Sequence, residues 1–305
     1  MVVIDKQLML VQDIRKRILG RRKTQGIFQS KLLRGRCLKH LDWLKDTKER
    51  LKTVDGKIVQ VLEFRYQKDD GILSDWAKHF RNHYCSDSEI DSLIRGTKYT
   101  RAEYLNRIKF PDASTKPGPS IRAGDFGEVL IADYLEYILK YWVPRTRYND
   151  KAIRNESTKG CDIIGFKILN EEKDSTKDTM AIFESKARFT GSKPQNRLQD
   201  AVIDSVKDVT RKAESLNFIK QKLIDRQQIK DVPRVERFQN PEDRPYREIP
   251  GAVALFSTEC YDANCVSETD ASIHPNARNL MLIVIHGNDM MKLVNELYRR
   301  AADEA

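Results

Sequence analysis

CDIIGFKIL (161–169), NEEKDSTKDT (170–179) and MAIFESKARF (180–189) follow one another without a gap, and their reading decides the fold. The outer two are apolar runs containing β-branched and aromatic residues, and the middle one is polar throughout. That pattern predicts a strand, a turn and a second strand. In the second strand Ala181, Phe183, Ser185, Ala187 and Phe189 share one face; Met180, Ile182, Glu184, Lys186 and Arg188 share the other. Glu184 and Lys186 therefore stand side by side. Charge begins halfway along their face, as in a strand that leaves a core and enters a cleft. Asp162 lies at the mouth of the first strand, where Ile163-Ile164-Gly165-Phe166 is apolar on both faces and predicts an interior position. A hairpin centred near Asp174 sets Asp162 opposite Lys186, with Glu184 one diagonal step away. A slip of one or two residues would alter that pairing.

Working outward, GDFGEVLIADYLEYILKYW (124–142) predicts an amphipathic helix. Glu128, Ile131, Leu135, Ile138 and Trp142 recur at spacings of 3, 4, 3 and 4, while Asp133, Glu136 and Lys140 fall on the opposite face. Glu128 has two readings: an acid favoured in a first helical turn, or an acid on a buried stripe that needs a partner or a cation. RTRY (145–148) reads as a short strand. Residues 195–228 read as a long helix, with Leu198, Val202, Val209, Leu216 and Leu223 at helical spacing. GAVALFS (251–257) and LMLIVIH (280–286) predict central strands, and residues 288–302 a final helix. The order α-β-β-β-α-β-β-α belongs to the α/β (α+β) class: a mixed sheet covered by helices.

Upstream, KIVQVLEFRYQ (57–67) reads as a strand, residues 5–55 as helical and basic, and 73–105 as a helical pattern broken near Cys85-Ser86-Asp87 and Gly96. PDASTKPGPS (111–120) reads as a connector. It places a boundary between a mainly helical N-terminal region, 1–116, and a second domain, 117–305.

The net charge of +10 is uneven: residues 1–50 hold 14 Lys and Arg against 5 Asp and Glu, and residues 121–305 hold 29 against 30. A basic segment suits a polyanion, whose counterions it releases; it suits a solvated helix face or an acidic protein as well. No run approaches the roughly 18 apolar residues of a membrane helix. The start has no signal-peptide pattern, so a cytoplasmic location is expected. Five cysteines, odd in number and scattered, predict free thiols. Cys260, Cys265 and His274 lack a zinc-box spacing and a fourth ligand. His79 and His83 share a helix face with no third ligand apparent in sequence, and read as packing or surface residues.

Asp162, Glu184 and Lys186 point to phosphodiester hydrolysis. Carboxylate oxygens suit Mg²⁺ or Mn²⁺, which activates water and offsets charge growing on phosphorus. A neighbouring lysine can orient or deprotonate the water. Glu-x-Lys on a strand is by itself usually a salt bridge, and the strand-mouth aspartate is what lifts it. No P-loop, dinucleotide fingerprint or H-E-x-x-H competes.

With these residues in place, the chain resembles the PD-(D/E)xK nucleases, in which one strand carries Asp and the next (Asp/Glu)-x-Lys. Asp162 and Glu184-Ser185-Lys186 match, and Glu128 matches the helix acid of many members. The usual proline is replaced by Cys161. Within that superfamily the chain is similar to the HamA family, nuclease subunits of the Hachiman bacterial anti-phage system. The similarity rests on WAKHFRNHYC (76–85), GTKYTRAEYL (96–105), PGPSIRAGDFGEVLIADYLEYIL (117–139), YWVPRTRY (141–148) and KGCDIIGFK (159–167). The resemblance implies a restriction-endonuclease-like core and a Mg²⁺- or Mn²⁺-dependent deoxyribonuclease with Glu128, Asp162 and Glu184 as metal ligands and Lys186 as the fourth catalytic residue. It further implies a superfamily-2 helicase partner, HamB, that restrains the nuclease. Lys159, Arg188 and Lys193 are the expected nucleic-acid contacts, and residues 1–116 the expected docking region. The alternatives are a catalytically silent module that binds DNA or the helicase, and a stand-alone restriction endonuclease, for which no separate recognition domain is visible.

Overall fold

Among the residues that the computed structural model describes, 38–149 and 151–305, six strands form one sheet. They are β1 (Leu44–Lys52), β2 (Ile58–Phe64), β3 (Ile163–Lys167), β4 (Thr179–Arg188), β5 (Arg247–Ser257) and β6 (Met281–Gly287), in the order β1-β2-β6-β5-β4-β3. β1–β2 and β3–β4 are antiparallel, while β2–β6, β6–β5 and β5–β4 are parallel. The sheet is mixed, and the apolar runs of β5 and β6 lie inside it as their composition predicts. Four longer helices cover it: α1 (Asp70–Tyr84), α2 (Gly118–Asp133, continued by a wide turn over Tyr134–Ile138), α3 (Arg197–Asp225) and α4 (Met290–Asp303). Side-chain caps start two of them. Asp69 accepts from the Ile72 N–H, and Asn196 from the Gln199 N–H, each satisfying an orphan donor of the first turn.

α3 lies on the face of β4 that carries Met180 and Ile182, packing Leu216, Ile219 and Leu223 against them and Phe166. Its N-terminal half, through Leu198 and Val202, packs on Ala252, Ala254 and Val284. Val209, expected on the same stripe, is exposed. On the opposite face α1, α2 and α4 form an aromatic layer in which Trp76 meets Phe126, and Phe80 meets Tyr298. Gly127 lets α2 approach the sheet closely, since a Cβ there would meet Leu255 Cδ1 at 3.2 Å. Its neighbour Glu128 is thereby held near the strand ends.

Four expectations need correction. Residues 44–52, expected helical, are strand β1, so the region ahead of the connector is not simply helical; residues 1–37 lie outside the described ones. The connector 111–120 does not divide domains, because residues 39–305 form one compact unit and β2 pairs with β6. RTRY (145–148) is not a strand, and only Trp142 makes a bridge, to Phe166. Pro144 lacks the N–H a ladder needs, and Arg145 has φ 53°, outside the extended region. Finally, β3 and β4 pair Ile163 with Phe183 and Lys167 with Thr179, two residues from the expected register. Asp162 thus comes level with Glu184 rather than Lys186. The turn decides this: buried Asp178 accepts from the Leu169 and Ser175 N–H groups and from Arg237 Nε at 2.9 Å, which fixes where β4 begins. A two-residue shift keeps every side chain on its face.

Candidate active site

Gly160 precedes Cys161-Asp162 in a left-handed conformation, φ 98°, that glycine adopts without steric cost. The turn delivers Asp162 to the mouth of β3. There its Oδ2 accepts from the Ser185 N–H at 3.2 Å, which ties the aspartate to the middle of the Glu184-Ser185-Lys186 triplet. Lys186 Nζ lies 2.7 Å from Glu184 Oε1 and 2.6 Å from Asp204 Oδ2 on α3. Asp162, Glu184 and Lys186, read from sequence as one group, do come together.

Glu128 joins them from the other layer through Arg147. The guanidinium lies 2.9 Å from Glu128 Oε2 and 2.8 Å from Asp162 Oδ1; it also donates to the Cys161 carbonyl, while Tyr148 O–H donates to Glu128. Of the two readings of Glu128, the first-turn one falls away. The helix begins at Gly118, with proline in its first turn, so Glu128 sits well inside it. Only 13% of its side chain is exposed.

Burial pushes the Glu128 carboxyl up, against the pull of Arg147. Burial also pushes Glu184 up, with the Asp162 charge adding to it and Lys186 opposing. Burial works to lower Lys186, but Glu184 and Asp204 outweigh it and hold the ammonium above its ordinary value. The region is thus short of positive charge. Two groups mark the deficit: Glu184 Oε2 is buried with no hydrogen-bond partner, and Asp208 on α3 is buried against the weakly donating Cys161 thiol. Burial raises Asp208 to about 7. Carboxylate oxygens that lack partners suit a hard divalent cation, and Glu128, Asp162, Glu184 and Asp208 are the acids at hand here, although among the described residues the three ligand atoms gathered within 4.8 Å of one another are those of His79, His83 and Asp133.

Asp204, Asp208 and Arg147 were not singled out in the sequence. A signal for Asp208 existed: between Val202 and Leu216 the buried stripe of α3 is filled by Ser205 and Asp208, both under 4% exposed, at helical spacing. Lys159 is exposed and lines a cavity of about 220 Å³ together with Glu128, Arg147 and Asp162. Arg188 is engaged locally, donating to the Lys193 carbonyl and to Gln195, and Lys193 is exposed. Cys260 and Cys265 are free thiols. No described helix is long and apolar enough to cross a membrane.

Asp133, Glu136 and Lys140 lie opposite the Glu128 stripe, as expected, but that side of α2 is not all open. Asp133 is fully buried, because α1 packs over that side of α2 and brings His79 to within 2.8 Å of it. His83 is buried and His79 largely so. The HamA family model matches residues 39–301, and no curated protein matches the chain.

Proposed function

Because the chain belongs to the HamA family, and is in that sense Hachiman-related, we propose that it is a divalent-metal-dependent DNA nuclease. The observation that carries this reading is the convergence of Asp162, Glu184 and Lys186 at the β3–β4 mouth, with Glu184 Oε2 left without a partner. Glu128, Asp162 and Glu184 would hold Mg²⁺ or Mn²⁺. When bound, such a cation lowers the pKa of water and offsets charge on the phosphate.

The chain's own residues do the rest. Asp162 is oriented by the Ser185 N–H on one oxygen and by Arg147 on the other. Lys186, an ammonium between Glu184 and Asp204, supplies positive charge beside a phosphate oxygen as the water oxygen bonds to phosphorus and the bond to the leaving oxygen breaks. Preorganised charge of this kind acts without reorganisation cost. Arg147 neutralises Glu128 and Asp162 while the cation is absent. Lys159, Arg188 and Lys193 would meet the DNA backbone.

The test is plasmid nicking with Mg²⁺, comparing wild type with Asp162→Asn and Glu184→Gln at matched melting temperature. Cleavage at the wild-type rate by either variant would refute the assignment. A superfamily-2 helicase partner, HamB, and a bacterial cytoplasmic setting belong to the same proposal. Since β1 and β2 are part of the sheet, the docking role of the basic N-terminus is tested by removing residues 1–38 only. Co-purification with the helicase should weaken, and an unchanged complex would exclude that segment.

A further inference from the structure

His79 and His83 lie one turn apart on α1, so their imidazoles project from the same face. Their Nε2 atoms approach to 3.3 Å, with ring planes at 85°. Asp133, from the far end of α2, places Oδ1 2.8 Å from His79 Nε2. The three ligand atoms lie within 4.8 Å of one another. Ligand atoms at zinc-bond lengths of ~2.0–2.1 Å in a tetrahedron are separated by about 3.3 Å, so the His79–His83 separation of 3.3 Å already matches and the His79–Asp133 one of 2.8 Å is slightly short.

The surroundings are those of a supported ligand set. His40 Nε2 lies 3.1 Å from the other Asp133 oxygen and is stacked on Trp76, with centroids 4.2 Å apart and planes 9° from parallel. Ligating carboxylates are commonly held by such an outer partner. Burial, with the Arg145 charge adding to it, keeps His83 well below its ordinary pKa. The His79 side chain is 22% exposed, and His83 borders the cavity that Glu128 also lines, which gives access.

Among the described residues one cation competes for this place. Arg145 Nη2 is 2.7 Å from Asp133 Oδ1, and Nη1 is 3.4 Å from His83 Nε2. The same guanidinium is held by Glu136 Oε2, through Nε at 3.0 Å and Nη2 at 2.7 Å. Glu136 can therefore keep Arg145 when Asp133 turns to an ion.

We propose that His79, His83 and Asp133 form a zinc site, separate from the acid cluster, in which the ion takes over the position of the Arg145 guanidinium against Asp133. Two imidazoles and one carboxylate favour Zn²⁺ over Mg²⁺, and a water completes the tetrahedron. The ion cross-links α1 to α2, the helix that carries Glu128.

The experiment uses the full-length chain carrying Glu184→Gln, so that the acid cluster contributes little binding. The protein is stripped with chelator and titrated with Co²⁺ and Zn²⁺. Expected are about one equivalent of bound ion per chain, an intense visible absorption of tetrahedral Co²⁺, and nitrogen scatterers at ~2.0–2.1 Å in zinc X-ray absorption. His79→Gln/His83→Gln should abolish the signal, His40→Gln should weaken affinity ~10–100-fold, and Arg145→Gln should strengthen it. If the double variant does not fold, the absorption spectra of the Glu184→Gln protein decide the matter alone. A weak octahedral Co²⁺ spectrum, or zinc binding without imidazole scatterers, overturns the proposal and leaves a hydrogen-bonded histidine cluster.

Discussion

The acids at the mouth of β3 and β4 and the histidines on α1 are both buried polar clusters. Both are reached by the same segment, which sends Arg147 to one and Arg145 to the other. They differ in how their charge is settled. Around Asp133, both carboxylate oxygens have partners, from His40, His79 and Arg145. Around Asp162, Arg147, Lys186 and Lys207 face Glu128, Asp162, Glu184, Asp204 and Asp208, and Glu184 Oε2 has no partner. A buried carboxylate without a partner must be protonated or joined by a cation. The acid cluster therefore calls for positive charge from outside, whereas the histidine cluster is complete as it stands and takes an ion only in exchange for Arg145. Donor type separates them too: oxygen alone in one, imidazole nitrogen in the other.

The largest effect expected is from Glu184→Gln, which should reduce cleavage below detection and weaken Mn²⁺ binding while leaving zinc binding at the histidines intact. Titrating the two metals in parallel checks this, and joint loss of both would mean the clusters are not independent. Next in size, Arg147→Gln leaves Glu128 and Asp162 buried without their cation. Loss of one partner from a buried pair costs about 3–5 kcal/mol, readable by denaturant unfolding, and Mg²⁺ should recover more stability in this variant than in wild type. If Mg²⁺ recovers nothing, the carboxylates are not cation ligands.

Lys186→Ala should slow cleavage by ~10²-fold or more, about 2.7 kcal/mol of transition-state stabilisation, while the fold and Mn²⁺ binding persist. A mere salt bridge would cost about 0–1 kcal/mol of stability and leave cleavage unchanged. The smallest effect concerns Asp208. Its folded pKa, raised to about 7, exceeds the unfolded carboxylate value of about 3.9. The folded state then binds more protons across that interval, so stability falls as pH rises through it. Asp208→Asn should match wild type near pH 4 and be more stable by about 1–2 kcal/mol above pH 7, with the gap shrinking when Mg²⁺ is added. Melting curves across the pH range measure it, and a gap that is constant with pH would contradict the raised pKa of Asp208.

How legible the molecule was in its sequence varied with the range of the interaction. The alternation of MAIFESKARF put Glu184 and Lys186 on one face, and the apolar runs of β5 and β6 announced central strands. Those patterns report a local period, and a local period survives any tertiary arrangement. PGPS looks like a connector, although proline also suits a first helical turn, and α2 begins at Gly118, six residues ahead of the expected start at 124. With the later start, Glu128 fits a first turn and a buried stripe equally; with the actual one, only the stripe. Asp133 falls opposite the Glu128 stripe yet is buried, because α2 is covered by the sheet on one side and by α1 on the other.

By itself the sequence determined the strand-turn-strand unit, the faces of its side chains, the long helix after it and the candidate triplet Asp162, Glu184 and Lys186. Tertiary structure alone decided the register that sets Asp162 level with Glu184, because that depends on Asp178 and Arg237 meeting across 59 residues. It also decided which acids share one site. Asp204 and Asp208 reach β4 from α3, and Arg147 links Glu128 to Asp162, through ion pairs and burial between segments whose spacing in sequence carries no period. Charge acts through space at a few ångströms, and only the folded chain sets those distances.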